Sequence, residues 1–260
     1  MITPMSNSRF LTALACCVAL AGCSKDGVQS IAAPAPGSGV KFYNFSTGAP
    51  NVNFYANDTK VTAVSSTSGQ ESTSGTAYGS VATSGFYTGI APGQYTLTGR
   101  ITAATDNGLA IASAPATLAD GKYYSFYLSG PYNATTKKSD FFILEDAAPP
   151  AQIDYQVAYV RFVNAISNSS PMTLYAKNRT SGAELPVGGS VGYKSAGALT
   201  PIPIGPYDLI ARVTGSTANA ITLAEVGLSA RAYTVSARGD MTITSTTAAT
   251  RPILTSSTDR

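Results

Sequence analysis

The chain has 260 residues, of which only 12% are charged, and a formal net charge of +3; soluble domains usually hold roughly 25% charged residues. Disorder driven by charge excess is excluded, and so is a basic nucleic-acid-binding surface, because the 17 Lys and Arg are scattered rather than clustered. There is no His and all three Cys lie within the first 23 residues, which removes His-based catalysis and most metal chemistry, so no cofactor and no metal is expected.

In chain order, the first feature is an address. Arg9 is the sole charge in the first 24 residues, and the apolar run Phe10 to Leu20 follows it. A short positive region, an apolar stretch and small residues before a cut describe a signal peptide over residues 1–22. The run is too short for a spanning helix. Leu20-Ala21-Gly22-Cys23 resembles the lipobox of bacterial lipoproteins. That resemblance implies cleavage before Cys23 and lipidation of its sulfur; the alternative is an ordinary secretory signal with a chance Cys. Cys16 and Cys17 leave with the signal, so the mature chain has no thiol and depends on core packing alone. Ser24 rather than Asp follows Cys23, which by the same resemblance implies the outer membrane, on its periplasmic or its surface face. Residues 23–39, rich in Ala, Pro, Gly and Ser, read as a flexible tether.

The rest repeats. Val40-Lys41-Phe42-Tyr43-Asn44 recurs as Val160-Arg161-Phe162-Val163-Asn164, and Phe54-Tyr55-Ala56 as Leu174-Tyr175-Ala176. Gly93-Gln94-Tyr95-Thr96-Leu97 pairs with Gly205-Pro206-Tyr207-Asp208-Leu209, Arg100-Ile101 with Arg212-Val213, and Tyr124-Ser125-Phe126 with Tyr233-Thr234-Val235. Each block alternates as half-buried strands do, with Val40 and Phe42 on one face and Lys41 and Tyr43 on the other. One apolar face per strand is the sandwich pattern. The expected fold is all-β: two tandem antiparallel sandwiches, immunoglobulin-like or transthyretin-like, of about seven strands each. They should cover residues 40–146 and 157–245, joined by a linker at 147–156 around Pro149-Pro150 and followed by a polar, partly ordered tail at 246–260.

Val160-Arg161-Phe162-Val163-Asn164-Ala165, the strand Met172 to Tyr175, the turn Pro92 to Tyr95 and the pair Tyr123-Tyr124 resemble the bacterial domain-of-unknown-function family numbered 4397. The likeness extends over both copies, departing at Phe45 in the first and at Gly205-Pro206 in the second. It implies exported, often lipid-anchored β-sandwich proteins and assigns no catalytic residue.

Several residues invite a functional reading beside a structural one. Tyr95 and Tyr207 form either an aromatic platform or a tyrosine corner, whose hydroxyl bonds upstream backbone. Ser65 to Gly85, with Gln70, Glu71 and Tyr78, is a binding loop or a tolerated insertion. Asp106-Asn107-Gly108 is a calcium loop or a plain turn. Asp140, Glu145, Asp146 and Asp154 form an interdomain cation site or a solvated seam. The function expected is that of a non-catalytic envelope or surface module, anchored to the membrane by lipid and binding glycan or protein, or serving as a spacer. The alternatives are a substrate-capture lipoprotein and a hydrolase working through carboxylates alone; the oligomeric state is left open. Metabolic labelling with a palmitate analogue should mark the wild-type chain and leave Cys23→Ser unlabelled; equal labelling of both removes the anchor.

Overall fold

The computed structural model describes residues 37–62, 74–148 and 154–259. Cys23, Gln70 and Glu71 lie outside them, as do residues 1–22 and Pro149-Pro150. Pro36–Arg260 forms one compact unit.

The described residues are strand and turn, with a single 3-10 turn at Ala82–Gly85. The first half contains β1 (Ser38–Asn44), β2 (Val52–Ala56), β3 (Thr59–Lys60), β4 (Ser80–Val81), β5 (Thr88–Ile90), β6 (Gly93–Ile101), β7 (Ala110–Leu118), β8 (Tyr123–Asn133) and β9 (Lys138–Glu145). The second contains β10 (Val157–Asn164), β11 (Met172–Asn178), β12 (Glu184–Val191), β13 (Ser195–Ala196), β14 (Thr200–Pro203), β15 (Gly205–Val213), β16 (Ile221–Leu228), β17 (Ala232–Arg238) and β18 (Ile253–Thr258). Each half is a sandwich. In the first, the sheet β4-β1-β8-β9, with β5 also on β1, packs on β3-β2-β6-β7. In the second, β13-β10-β17-β18, with β14 also on β10, packs on β12-β11-β15-β16. The excess over seven strands per half comes from pieces of two to four residues that pair with β1, β2 and β10.

The alternation read from the sequence selects the cores. Val40, Phe42, Phe54, Leu97 and Phe126 are buried in the first sandwich, with the Phe42 and Phe54 rings stacked at 4.9 Å. Val160, Phe162, Leu174, Leu209 and Val235 occupy the corresponding places in the second. The ladders match as well: Phe42 lies opposite Phe126 on β8, and Phe162 opposite Val235 on β17. Both of these central ladders are parallel within otherwise antiparallel sheets. The recurring Gly has a backbone cause: Gly93 and Gly205 adopt φ of +157° and +149°, which L side chains rarely adopt.

Two expectations change. The alternation puts Lys41 and Tyr43 on the face of β1 turned away from the core, yet every residue of β1 is buried. The second face of β1 and β8 is covered by the second face of β10 and β17. The two sandwiches are therefore fused along a sheet–sheet seam rather than hung on a linker. Residues 246–260 are also more than a polar tail. Ile253–Thr258 is a full strand, antiparallel to β17 from Tyr233↔Thr258 to Arg238↔Ile253, with Leu254 buried in the second core. Its Ser and Thr content reads as a tail because only one side chain, Leu254, enters that core.

Phe42→Ala and Phe162→Ala should each lower the unfolding free energy by about 3–5 kcal/mol, because each leaves a ring-sized void in a close-packed core. Urea unfolding followed by tyrosine fluorescence measures it, and a loss under about 1 kcal/mol for either variant contradicts the packing described.

Candidate functional site

The seam brings together most of the buried charge. Lys41 Nζ on β1 donates to Asp259 Oδ1 at 2.8 Å and to the Thr258 carbonyl at 2.6 Å. Arg161 Nη2 on β10 donates to Asp146 Oδ1 at 2.6 Å. The exchange is reciprocal: the first strand of each sandwich lends its cation to the carboxylate that follows the last strand of the other. Lys41 and Asp259 are 0% and 7% exposed, and Arg161 and Asp146 are 2% each. Neighbouring hydroxyls complete both carboxylates. Ser125 and Tyr87 donate to Asp146 Oδ2 at 2.8 and 2.7 Å, and Thr234 donates to Asp259 Oδ2 at 2.6 Å. Arg161 Nε bonds Thr234 Oγ1 at 2.7 Å.

Burial sets the protonation behaviour. Desolvation pulls the Lys41 ammonium below its ordinary 10.5, against the opposing pull of Asp259. Desolvation also opposes the Arg161 cation, but Asp146, Tyr127 and Asp259 outweigh it and hold the guanidinium charged. A planar fork with a delocalised charge tolerates burial better than a compact ammonium. Burial likewise pushes Tyr127 up to about 12 and Tyr43 well above its usual value.

Aromatic rings fill the seam around the ion pairs. Tyr43 stacks on Tyr127 at 4.2 Å and Tyr127 on Phe142 at 4.7 Å, with Phe45, Val163 and Ala165 against them. Toward the rim, Tyr193 donates to Asp140 Oδ2 at 2.9 Å and shares a hydrogen bond with Ser129 at 2.7 Å, while Lys194 bonds Asp140 Oδ1 at 2.6 Å. Burial raises the Asp140 pKa, but the bonds from Lys194, the Phe141 amide and Tyr193 win and leave it below the ordinary carboxylate value. Its share of the seam's stability is thus present above that ordinary value and fades as the pH falls through the depressed one.

These contacts relocate the residues singled out in the sequence. Tyr78 precedes β4 as Tyr193 precedes β13, and its ring lies 5.4 Å from the Arg238 guanidinium of the other sandwich. It is a seam residue; Gln70 and Glu71 lie outside the described residues. Asp146 is buried and paired with Arg161 across the seam, whereas Asp140 stays 44% exposed at the rim, where Lys194 pairs with it. Glu145 pairs with Lys122 in the open, and Asp154 accepts the Gln156 amide. Asp106 adopts φ of +63° in a turn and pairs with Lys137. Tyr207 bonds the Pro203 carbonyl four residues upstream at 2.8 Å, as a tyrosine corner does, while Tyr95 is half-buried and lines a shallow groove with Asn57, Gln94 and Thr117. The hydroxyls that close a corner in both halves are Tyr124, accepting from the Ala119 amide, and Tyr233, accepting from Ser229.

Sequence reasoning missed Lys41, Arg161 and Asp259. The available signal was a cation recurring at the same place in two strands that are otherwise apolar or uncharged. On the outer sheets another pair recurs: Arg100 lies over Tyr55 at 4.4 Å and bonds Asp58, and Arg212 lies over Tyr175 at 4.6 Å and bonds Glu184.

One recess adjoins the seam. A cleft of about 670 Å³ lies between residues 81–87 of the first sandwich and Arg231 with Ser256 to Asp259 of the second. Asp259, the partner of Lys41, is among its lining residues, as is Phe86, which is 73% exposed.

Replacing Asp146 with Leu or Arg161 with Met should each cost about 3–5 kcal/mol, because either leaves a buried charge without its partner. The double variant Asp146→Leu with Arg161→Met should recover most of that loss, and a double-mutant cycle by chemical denaturation measures the coupling. Additive losses refute a specific pair.

No curated protein matches the chain at a significant level. Residues 38–156, which span the first sandwich and run up to the second, match the family described as Domain of unknown function (DUF4397).

Proposed function

We propose that this chain is a non-catalytic, lipid-anchored protein of the bacterial outer membrane, built from two copies of that family domain and acting as a binding or structural module. The observation that carries the reading is the use made of the buried charged side chains. Lys41, Arg161, Asp146 and Asp259 are spent joining two sandwiches into one body. The anchor is supported by Leu20-Ala21-Gly22-Cys23 behind its apolar run. The second copy is supported by the shared register: Val40 to Asn44 lie opposite Tyr124 to Leu128, and Val160 to Asn164 opposite Tyr233 to Ala237.

A fused pair of sandwiches offers a stiff platform, and ligands are then met by loops, rims and edges rather than by a deep catalytic pocket. The acyl chains at Cys23 hold the platform at the membrane; two or three chains anchor firmly where one is marginal. Fractionation should place the full-length protein with the outer membrane and move Cys23→Ser to the soluble exported fraction. The purified protein should leave nitrophenyl esters and nitrophenyl glycosides intact over hours. Turnover that survives repurification and disappears on replacing a named carboxylate overturns the non-catalytic reading, and unchanged membrane association of Cys23→Ser overturns the anchor.

A further inference from the structure

One wall of the cleft beside the seam is built from a segment in which the two halves differ. Val81 on β4 lies opposite Tyr43 and Thr88 on β5 opposite Val40; Ala196 on β13 and Thr200 on β14 hold the matching places opposite Val163 and Val160. Six residues, 82–87, therefore bridge the first pair, and three, 197–199, bridge the second. The longer bridge carries Phe86 and Tyr87. It also holds Thr83 and Ser84 at φ of +50° and +54°, a left-handed conformation uncommon for these residue types.

The opposite wall is a strand edge. Four consecutive residues, Ser256 to Asp259, line the cleft. Successive side chains of a strand point to opposite faces, so a cleft that meets all four lies along the edge of β18. Among the described residues β18 pairs with β17 alone. The Asp259 amide donates to the Ala232 carbonyl of β17. By the two-residue alternation, Ser256 and Thr258 turn their main-chain groups away from β17. The Thr258 carbonyl is taken by Lys41. The Ser256 amide and carbonyl and the Thr258 amide remain, aimed along the cleft. A free row of this kind is a template for another strand.

Two side chains say what such a strand would carry. Arg231 is exposed at the rim, and its guanidinium makes no hydrogen bond or ion pair among the described residues, whereas every other described arginine makes at least one. Phe86 offers an exposed apolar face across the gap. We propose that this cleft receives an extended peptide segment of a partner protein, which adds to the free edge of β18 and sets a carboxylate side chain on Arg231 and an apolar side chain on Phe86. Main-chain bonds give such a contact its affinity and alternate side chains its selectivity. The proposal rests on the binding-module reading above and names its site and its class of partner.

The test uses the full-length chain in detergent micelles, immobilised and panned against a phage-displayed library of random heptapeptides. Enrichment of peptides that alternate apolar and acidic residues is expected. A synthetic copy of an enriched peptide should bind Arg231→Ala at least tenfold more weakly, since a charge-assisted bond is lost. Ser256→Pro should keep the thermal midpoint, because proline is tolerated where the amide faces away from the sheet, and should lose the peptide. N-methylation at alternate peptide amides should abolish binding to the wild type; it and Arg231→Ala decide the matter if Ser256→Pro fails to fold. No enriched peptide, or peptides that bind Arg231→Ala and the wild type equally, overturns the proposal. Sodium polygalacturonate binding that depends on Arg231, with no peptide selected, assigns the cleft to an acidic glycan instead and overturns it equally. Either failure leaves the Cys23 anchor intact, because labelling and fractionation read it separately.

Discussion

The reciprocal exchange of buried charges across the seam is the constraint on which the rest of this structure depends. Lys41 and Arg161 stand on strands whose opposite faces form the two cores, so neither cation can move without disturbing Phe42 or Phe162. Each would be costly alone in such surroundings and is tolerable only because the other sandwich supplies the carboxylate. An ion pair of this kind adds little net stability over a well-packed apolar pair. What it enforces is register: a sandwich displaced by one strand spacing would leave two cations and two carboxylates buried and unpaired. The stacked rings of Tyr43, Tyr127 and Phe142 contribute apolar area, and the charges specify where that area may settle.

With the seam fixed, function is pushed to the margins. Outer faces carry the paired Tyr–Arg ladders, where Tyr55 and Tyr175 are capped by guanidinium groups already engaged with Asp58 and Glu184. The seam has two rims. Tyr193, Lys194 and Asp140 close one with a tight hydrogen-bonded knot. The longer 82–87 bridge lines a recess at the other. Two sandwiches with matching ladders thus differ through a bridge three residues longer in one than in the other.

The cores were legible in the sequence because alternation with period two needs nothing beyond the strand itself, and a repeat doubles the signal. Phe42 and Phe162, or Leu97 and Leu209, announce their faces at once. The second face of β1 was not legible. Lys41 and Tyr43 read as solvent-facing, since what covers them comes from residues more than two hundred positions away. A strand with one long charged side chain looks the same exposed or buried until its partner is known. The same ambiguity hid β18, whose Thr-Ser-Ser-Thr run carries Leu254 as its single fully buried anchor. Tyr78 looked like loop chemistry because the neighbouring residues are small and polar, although its ring faces Arg238 across the seam.

The parallel ladder between β1 and β8 has a mechanical meaning. β1 is the first strand among the described residues, and a pull arriving from its N-terminal side enters the body there. It runs along the strand axis and loads the β8 ladder, together with the short ladders to β4 and β5, in shear. Bonds loaded that way share the force and must fail together, whereas a strand peeled from its end loses them one at a time. Lys41 adds a cross-bolt, because drawing β1 out would also drag its ammonium away from Asp259 and through the apolar packing around it. A pull along β1 therefore meets ladders loaded in shear on both of its edges, not a strand end that can be peeled away.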